Sequence, residues 1–148
     1  MRALVQRVSR AEVRVEGRVV GGIGRGILVL LGVAPDDDPA TARALARRMV
    51  DQRIHADAEG RTNLALGEVG GAALVVSQFT LYADTRRGRR PGFTAAAQPA
   101  HAAAIYDGFC VALEELGVPT QRGRFGAAME VELVNDGPFT LWLDTVDR

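Results

Sequence analysis

Lysine is absent from this chain: all 18 basic residues are arginine and, set against 18 acidic ones, they leave a formal net charge of zero. A neutral total excludes a wide electrostatic grip on nucleic acid but leaves room for a few local phosphate contacts. The exclusive use of arginine, together with abundant Ala and Gly, is a compositional bias, so an arginine cluster weighs less here as a sign of phosphate binding. The single cysteine, Cys110, has no partner for an intrachain disulfide and sits among helical apolar residues, where it reads as a small buried hydrophobe. The two histidines, His55 and His101, lie far apart and show no metal-ligand spacing, so neither a metal nor another cofactor is expected. The longest strongly apolar run, residues 27–33, is far too short to span a bilayer and comes too late for a signal peptide. The expectation is a cytoplasmic protein with no membrane partner.

What the chain does contain is enough apolar material for one core. With 148 residues, 47% hydrophobic and 24% charged, it reads as a single domain spanning 1–148. A chain of this length buries about 68–70% of its unfolded surface.

Residues 2–8 are mostly apolar and read as a strand, with Arg7 as its odd member, snorkelling to an edge or held inside to orient something. Ala11, Val13 and Val15 alternate with Glu12, Arg14 and Glu16 as a half-buried strand, Glu16-Gly17 gives the turn, and Val19-Val20 begin the return. The glycine-rich segment 21–26 leads into a buried strand, Ile27 to Leu31, rather than into a helix, so it reads as a turn or bulge and not as a phosphate loop. Asp36-Asp37-Asp38-Pro39 is a helix start, with Asp38 as N-cap and Pro39 at the first helical position. Ala42, Leu45, Ala46, Met49 and Val50 then share one helical face. An extended stretch at Arg53-Ile54-His55, a polar turn over 57–60 and Thr62-Asn63-Leu64 follow.

The segment on which the rest converges is Leu74-Val75-Val76-Ser77-Gln78-Phe79-Thr80-Leu81-Tyr82-Ala83-Asp84. It opens as a buried strand after Gly70-Gly71 and then turns polar, where an unpaired buried group would cost about 1–3 kcal/mol. Two readings stand open: local backbone bonding as the strand turns, or a site for a polar substrate. Directly after it comes an exposed, basic loop carrying Arg86, Arg87, Arg89 and Arg90. Gln98-Pro99 opens a second helix with Ala102, Ile105, Tyr106, Phe109, Leu113 and Leu116 on its core face, ended by Gly117 and Pro119. In the last third, Met129, Val131 and Leu133 alternate as one strand and Phe139, Leu141 and Leu143 as another. Asn135-Asp136-Gly137-Pro138 between them reads plainly as a hairpin connection, although a proline there removes a ladder donor and admits a cis bond.

Ser77-Gln78-Phe79-Thr80-Leu81 and Asn135-Asp136-Gly137-Pro138-Phe139-Thr140 together resemble the paired signature motifs of the D-aminoacyl-tRNA deacylases, once called D-tyrosyl-tRNA deacylases. The resemblance extends over essentially the whole chain: residues 1–8, the glycine-rich approach to Ile27, Arg53-Ile54, the turn at 57–63, Arg90-Pro91 with Phe93, and Phe125-Gly126-Ala127 with Met129. It implies an α/β (α+β) fold, a compact sandwich of two β layers and one α layer, in a homodimer with sites at the interface. It implies hydrolysis of the ester joining a D-amino acid, or glycine, to the terminal adenosine of tRNA, so that the partner is an aminoacyl-tRNA. Ser77, Gln78, Phe79 and Thr80 would line the pocket for that adenosine and ester. Gly137 and Pro138 would form a Gly-cisPro element that enters the partner subunit's site and excludes L-amino acids, with Arg7 and Met129 near it.

The motif offers no triad, since no His or carboxylate stands beside Thr80 and the segment is not a Gly-x-Ser-x-Gly elbow. Backbone N–H groups near Phe79 and Thr80 are the expected oxyanion donors, water the nucleophile, helped by the ribose 2′-hydroxyl, and Thr80 an orienting group. The chain departs from the family pattern at Phe139, Gly92 and Ala128. An aromatic after Gly-Pro is more typical of an animal relative that clears L-alanine from mischarged tRNA, a relative that lacks the Ser-Gln-Phe-Thr form. The rival from another class is a non-catalytic module that binds the tRNA 3′ end.

Overall fold

The computed structural model describes residues 1–86 and 88–146. Its longest elements are two strands, β1 over Arg2–Val15 and the C-terminal strand over Glu130–Asp144, which pair antiparallel along almost their whole length. Between them in sequence come β2 (Arg18–Ile23), β3 (Gly26–Gly32), α1 (Pro39–Val50), β4 (His55–Ala56), β5 (Thr62–Leu64), β6 (Ala72–Ser77), α2 (Pro99–Glu115) and β7 (Thr120–Arg122), which makes the last strand β8.

The first half of β1 pairs with β3, its second half pairs with β2, and β8 covers the opposite edge of both. Beyond β3 the sheet continues through the parallel pairs β3–β6 and β6–β7. The long strands therefore belong to two β layers at once. Ala3, Val5, Ile27, Val29, Leu31, Ala73 and Val75 pack on the two helices, while Val8, Ala11, Val13, Leu28, Leu74 and Val76 fill the space between the β layers. Both faces of β3 and β6 are thus buried, which is why they read as unbroken apolar runs. At Gly21 of β2 a Cβ would come within 2.6 Å of the Arg122 carbonyl oxygen of β7, and this close approach curls the sheet into its barrel-like shape. The expected β/β/α layering is present.

The helices follow the reading closely. Asp38 accepts from the Thr41 backbone N–H at 2.7 Å, and the buried face of α1 is Ala42, Leu45, Ala46, Met49 and Val50. Cys110 is fully buried on α2, and burial pushes its thiol up to about 11. No helix among the described residues is long and apolar enough to cross a membrane.

Three expectations need correction. The stretches read as separate strands before and after Ser9 are one strand, β1, whose inward face switches layers between Val5 and Val8. The glycine-rich segment is partly strand: Gly21, Gly22 and Ile23 belong to β2, and only Gly24 and Arg25 turn. Asn135-Asp136-Gly137-Pro138 is not a hairpin connection. Asn135 pairs with Val8 and Thr140 with Gln6, so residues 136–139 bulge from a continuous β8 opposite Arg7.

His55 is only 1% exposed, and neither ring nitrogen has a partner among the described residues. Burial, with the charges of Arg25 and Arg7, pushes its pKa below the ordinary 6.5 against the opposing pull of Asp136. The fold therefore holds His55 neutral while the unfolded chain takes up a proton, so stability falls as pH drops below about 6.5 and is unaffected above it. His55→Phe is expected to stabilise the protein by about 1–3 kcal/mol, the cost of the orphaned polar groups. Thermal melts should show a larger gain at pH 5.5 than at pH 7.5, and an equal gain at both would contradict the buried neutral imidazole.

Candidate active site

At the C-terminal end of β6 the chain leaves the sheet at Ser77 and enters a single 3-10 turn, Phe79–Tyr82. The Gln78 N–H donates to the Leu31 carbonyl at 2.8 Å, extending the parallel ladder by one step before the turn. The Leu81 N–H then donates to the Gln78 carbonyl at 3.2 Å and the Ala83 N–H to the Thr80 carbonyl at 3.0 Å. The turn lies flat on β3 because Gly32 has no side chain: a Cβ there would meet the Tyr82 ring at 3.1 Å and the Gln78 carbonyl oxygen at 3.2 Å.

Beside this turn lies a cavity of about 530 Å³. Its floor is Leu31, Val76 and Val131, and Phe93, Phe125 and Met129 stand around it with the start of α2. Among the described residues, Ser77, Gln78 and Gln98 are its polar side chains, and no titratable side chain lines it. Phe79 is 55% exposed and meets Phe93 edge to face, with centroids 5.0 Å apart. Such a pair offers aromatic surface of the kind on which a nucleobase stacks. Thr80 is exposed and does not line the cavity; its hydroxyl accepts from the Gln78 side-chain amide. The backbone N–H groups of Phe79 and Thr80 have no acceptor among the described residues. Two consecutive free donors at the end of a buried strand can hold an oxyanion.

The bulge of β8 lies elsewhere. Gly137 and Pro138 are exposed, joined by a cis peptide bond, and neither lines the cavity of their own chain. Arg7, only 9% exposed, holds the bulge from below. Its Nε donates to the Asp136 carbonyl at 2.8 Å and Nη2 to the Gly137 carbonyl at 3.3 Å, while Nη1 donates to the Ile54 carbonyl. The guanidinium also pairs with the Asp136 carboxylate at 3.1 Å and lies 4.4 Å from the Phe139 ring centroid. Asn135 closes the bulge by donating to the Arg7 and Phe139 carbonyls at 2.9 and 3.1 Å. Arg7 is thus the orienting arginine of the two readings, not the snorkelling one.

Of the residues singled out in the sequence, Ser77, Gln78, Phe79 and Met129 meet at one cavity, with Thr80 next in the turn, whereas Arg7, Gly137 and Pro138 form a second group on β1 and β8. Nothing local in the sequence marks Gly32, on which the turn lies, or Arg2, whose guanidinium donates to the Leu81 carbonyl of the turn. In the basic loop Arg86 is taken up by Asp84, with both guanidinium contacts at 2.8 Å, which holds the Asp84 carboxyl well below its usual range. Arg89 and Arg90 are exposed, and Arg87 lies outside the described residues.

A model of the family described as D-Tyr-tRNA(Tyr) deacylase matches residues 4–144. A D-aminoacyl-tRNA deacylase of Anaeromyxobacter dehalogenans (strain 2CP-C) is 59% identical over 145 residues, which are 98% of this chain and 97% of that protein. One of Escherichia coli O1:K1 / APEC is 55% identical over 143 residues, or 97% and 99% of the two chains. A solved structure described as c-Myc DNA Unwinding Element Binding Protein has a TM-score of 0.92 at 36% identity, covering 97% of this chain and 98% of that one. Another, described as a probable eukaryotic D-amino acid tRNA deacylase, shares the fold with a TM-score of 0.81 at 20% identity, covering 96% and 97%. With motifs, layers and cavity in agreement with matches over nearly its full length, the chain belongs to the D-aminoacyl-tRNA deacylase family.

Proposed function

We propose that this enzyme hydrolyses the ester of D-aminoacyl-tRNA by positioning and oxyanion stabilisation, without a side-chain nucleophile or general base. The observation that carries the reading is the cavity itself: among the described residues no titratable side chain lines it, yet two adjacent backbone N–H groups beside it have no acceptor. An aminoacyl ester is already activated, so holding its carbonyl against those donors, in a site that excludes bulk water, is sufficient chemistry. The terminal adenosine enters the cavity against Phe79, Ser77 and Gln78 fix the ribose and ester, and Thr80 orients the Gln78 amide. Water attacks the carbonyl carbon, the oxyanion forms on the N–H groups of Phe79 and Thr80, and the ribose oxygen leaves. The 2′-hydroxyl of that ribose is the group best placed to relay the proton, since among the described residues no titratable side chain lines the cavity.

Selection against L-amino acids falls to Gly137 and Pro138. Exposed on the bulge and outside their own cavity, they are suited to enter the site of a second copy, in a homodimer, where rigid backbone would collide with an L side chain. The Gly137 carbonyl keeps one lone pair free of Arg7 for the substrate's α-ammonium group. Because the filter works by exclusion, D side chains of any size, and glycine, pass it. The alternatives of a non-catalytic tRNA-end module or an L-alanine-clearing relative are not favoured, given relatives named as D-aminoacyl-tRNA deacylases at this identity and coverage.

A tRNA ending in 2′-deoxyadenosine and charged with D-tyrosine on its 3′-hydroxyl tests the mechanism. The rate should fall by about 10²–10⁴-fold, the span of a lost proton relay, with tRNA affinity unchanged. Undiminished turnover would place the relay on the protein.

A further inference from the structure

Arg2, at the start of β1, lies outside both groups of site residues, yet it reaches the catalytic turn. Its Nη1 donates to the Leu81 carbonyl at 2.8 Å, and its Nε donates to the Asp144 carboxylate at 3.0 Å. The guanidinium lies 4.4 Å from the centroid of the Tyr82 ring and 5.7 Å from that of Trp142. Asp144 is itself held, accepting from the Val146 N–H at 3.1 Å; burial raises its pKa, but that bond and the Arg2 charge outweigh burial and keep it below the ordinary value. One end of the turn is therefore tied to β3 through Gln78, and the other end to β1 and β8 through Arg2. The two free N–H groups lie between these ties. A 3-10 turn this short has few bonds of its own to resist rotation of its peptide planes, so the second tie matters.

We propose that Arg2, oriented by Asp144, is a positioning residue that fixes the peptide planes of Phe79 and Thr80 for the oxyanion. The proposal rests on the reading that those two N–H groups are the donors. Removing the tie shifts the donors by a fraction of an ångström to an ångström, a misplacement that costs up to about a hundredfold in rate. It leaves the cavity, and hence adenosine binding, in place.

The test compares the wild type, Arg2→Met and Arg2→Lys by steady-state and single-turnover deacylation of D-tyrosyl-tRNA, with thermal melts alongside. Met keeps the unbranched stem as far as the position of Nε but carries neither the donors nor the charge that lies over Tyr82 and Trp142. Expected for Arg2→Met is a kcat about ten- to a hundredfold lower, a KM within about twofold and a melting temperature close to wild type. Arg2→Lys, which retains one donor for the Leu81 carbonyl, should recover much of the loss. Amide exchange at Leu81 and Ala83, whose N–H groups close the turn, should quicken in Arg2→Met. Wild-type kcat in Arg2→Met, or a loss shared among kcat, KM and melting temperature that Lys does not rescue, would overturn the proposal. If the wild type itself left D-tyrosyl-tRNA intact, the reading of the reaction would fail, independently of Arg2.

Discussion

Replacing the backbone N–H of Thr80 by an ester oxygen, through incorporation of the α-hydroxy analogue of threonine, should lower kcat by about 10²–10³-fold, the usual cost of one oxyanion donor. Thr80→Ala, which deletes the hydroxyl and keeps the N–H, should cost less than about tenfold, because in the structure that hydroxyl bonds only the Gln78 amide. The contrast separates two roles that share one residue. A nucleophilic or proton-relaying Thr80 reverses the order, with the alanine variant inactive and the ester variant nearly normal. Single-turnover kinetics with D-tyrosyl-tRNA measure both, and unchanged tRNA affinity in both variants would locate the loss in the chemical step.

The second large effect concerns chirality. Arg7→Lys should reduce the ratio of kcat/KM for D-tyrosyl-tRNA to that for L-tyrosyl-tRNA by about ten- to a hundredfold, as expected from losing a charge-assisted bond worth about 1.5–3 kcal/mol. Lysine keeps a positive charge near Asp136 and fills similar volume, but it lacks the planar fork with which Arg7 reaches the Asp136, Gly137 and Ile54 carbonyls together. The bulge at 136–139 then loses its support and the filter softens. The D-ester should lose only part of its rate, through the Gly137 carbonyl that holds its α-ammonium group, since no bond joins Arg7 to the Phe79–Tyr82 turn among the described residues. Equal loss for both esters would mean that Arg7 supports the reaction and not the filter.

Much of this arrangement is legible in the sequence because local physics dominates there. The Asp38 cap, the apolar stripe of α1 and the abrupt change from Val76 to Ser77-Gln78 each follow from neighbouring residues. The paired motifs add what periodicity lacks, the expectation that Ser77–Thr80 and Gly137–Pro138 serve one reaction, although within one chain they lie apart. What stays hidden depends on the tertiary fold. The break of alternation between Val5 and Ala11 looks like the end of a strand, whereas β1 bends there and passes from one β layer to the other. Asp-Gly-Pro in β8 carries every mark of a hairpin turn, but pairing with β1 on both sides makes it a supported bulge. The short β7 has only Thr-Gln-Arg and owes its place to pairing with β6. Arg2 reaches Leu81 across 79 positions of chain, a contact no local pattern announces.

The most direct test of the account is the deacylation of one tRNA charged in parallel with D-tyrosine, L-tyrosine and glycine. Rapid loss of the D-tyrosyl and glycyl esters is expected, with the L-tyrosyl ester intact over the same period. Binding of all three without release of any would contradict the catalytic reading, and comparable loss of the L-ester would contradict the exclusion filter.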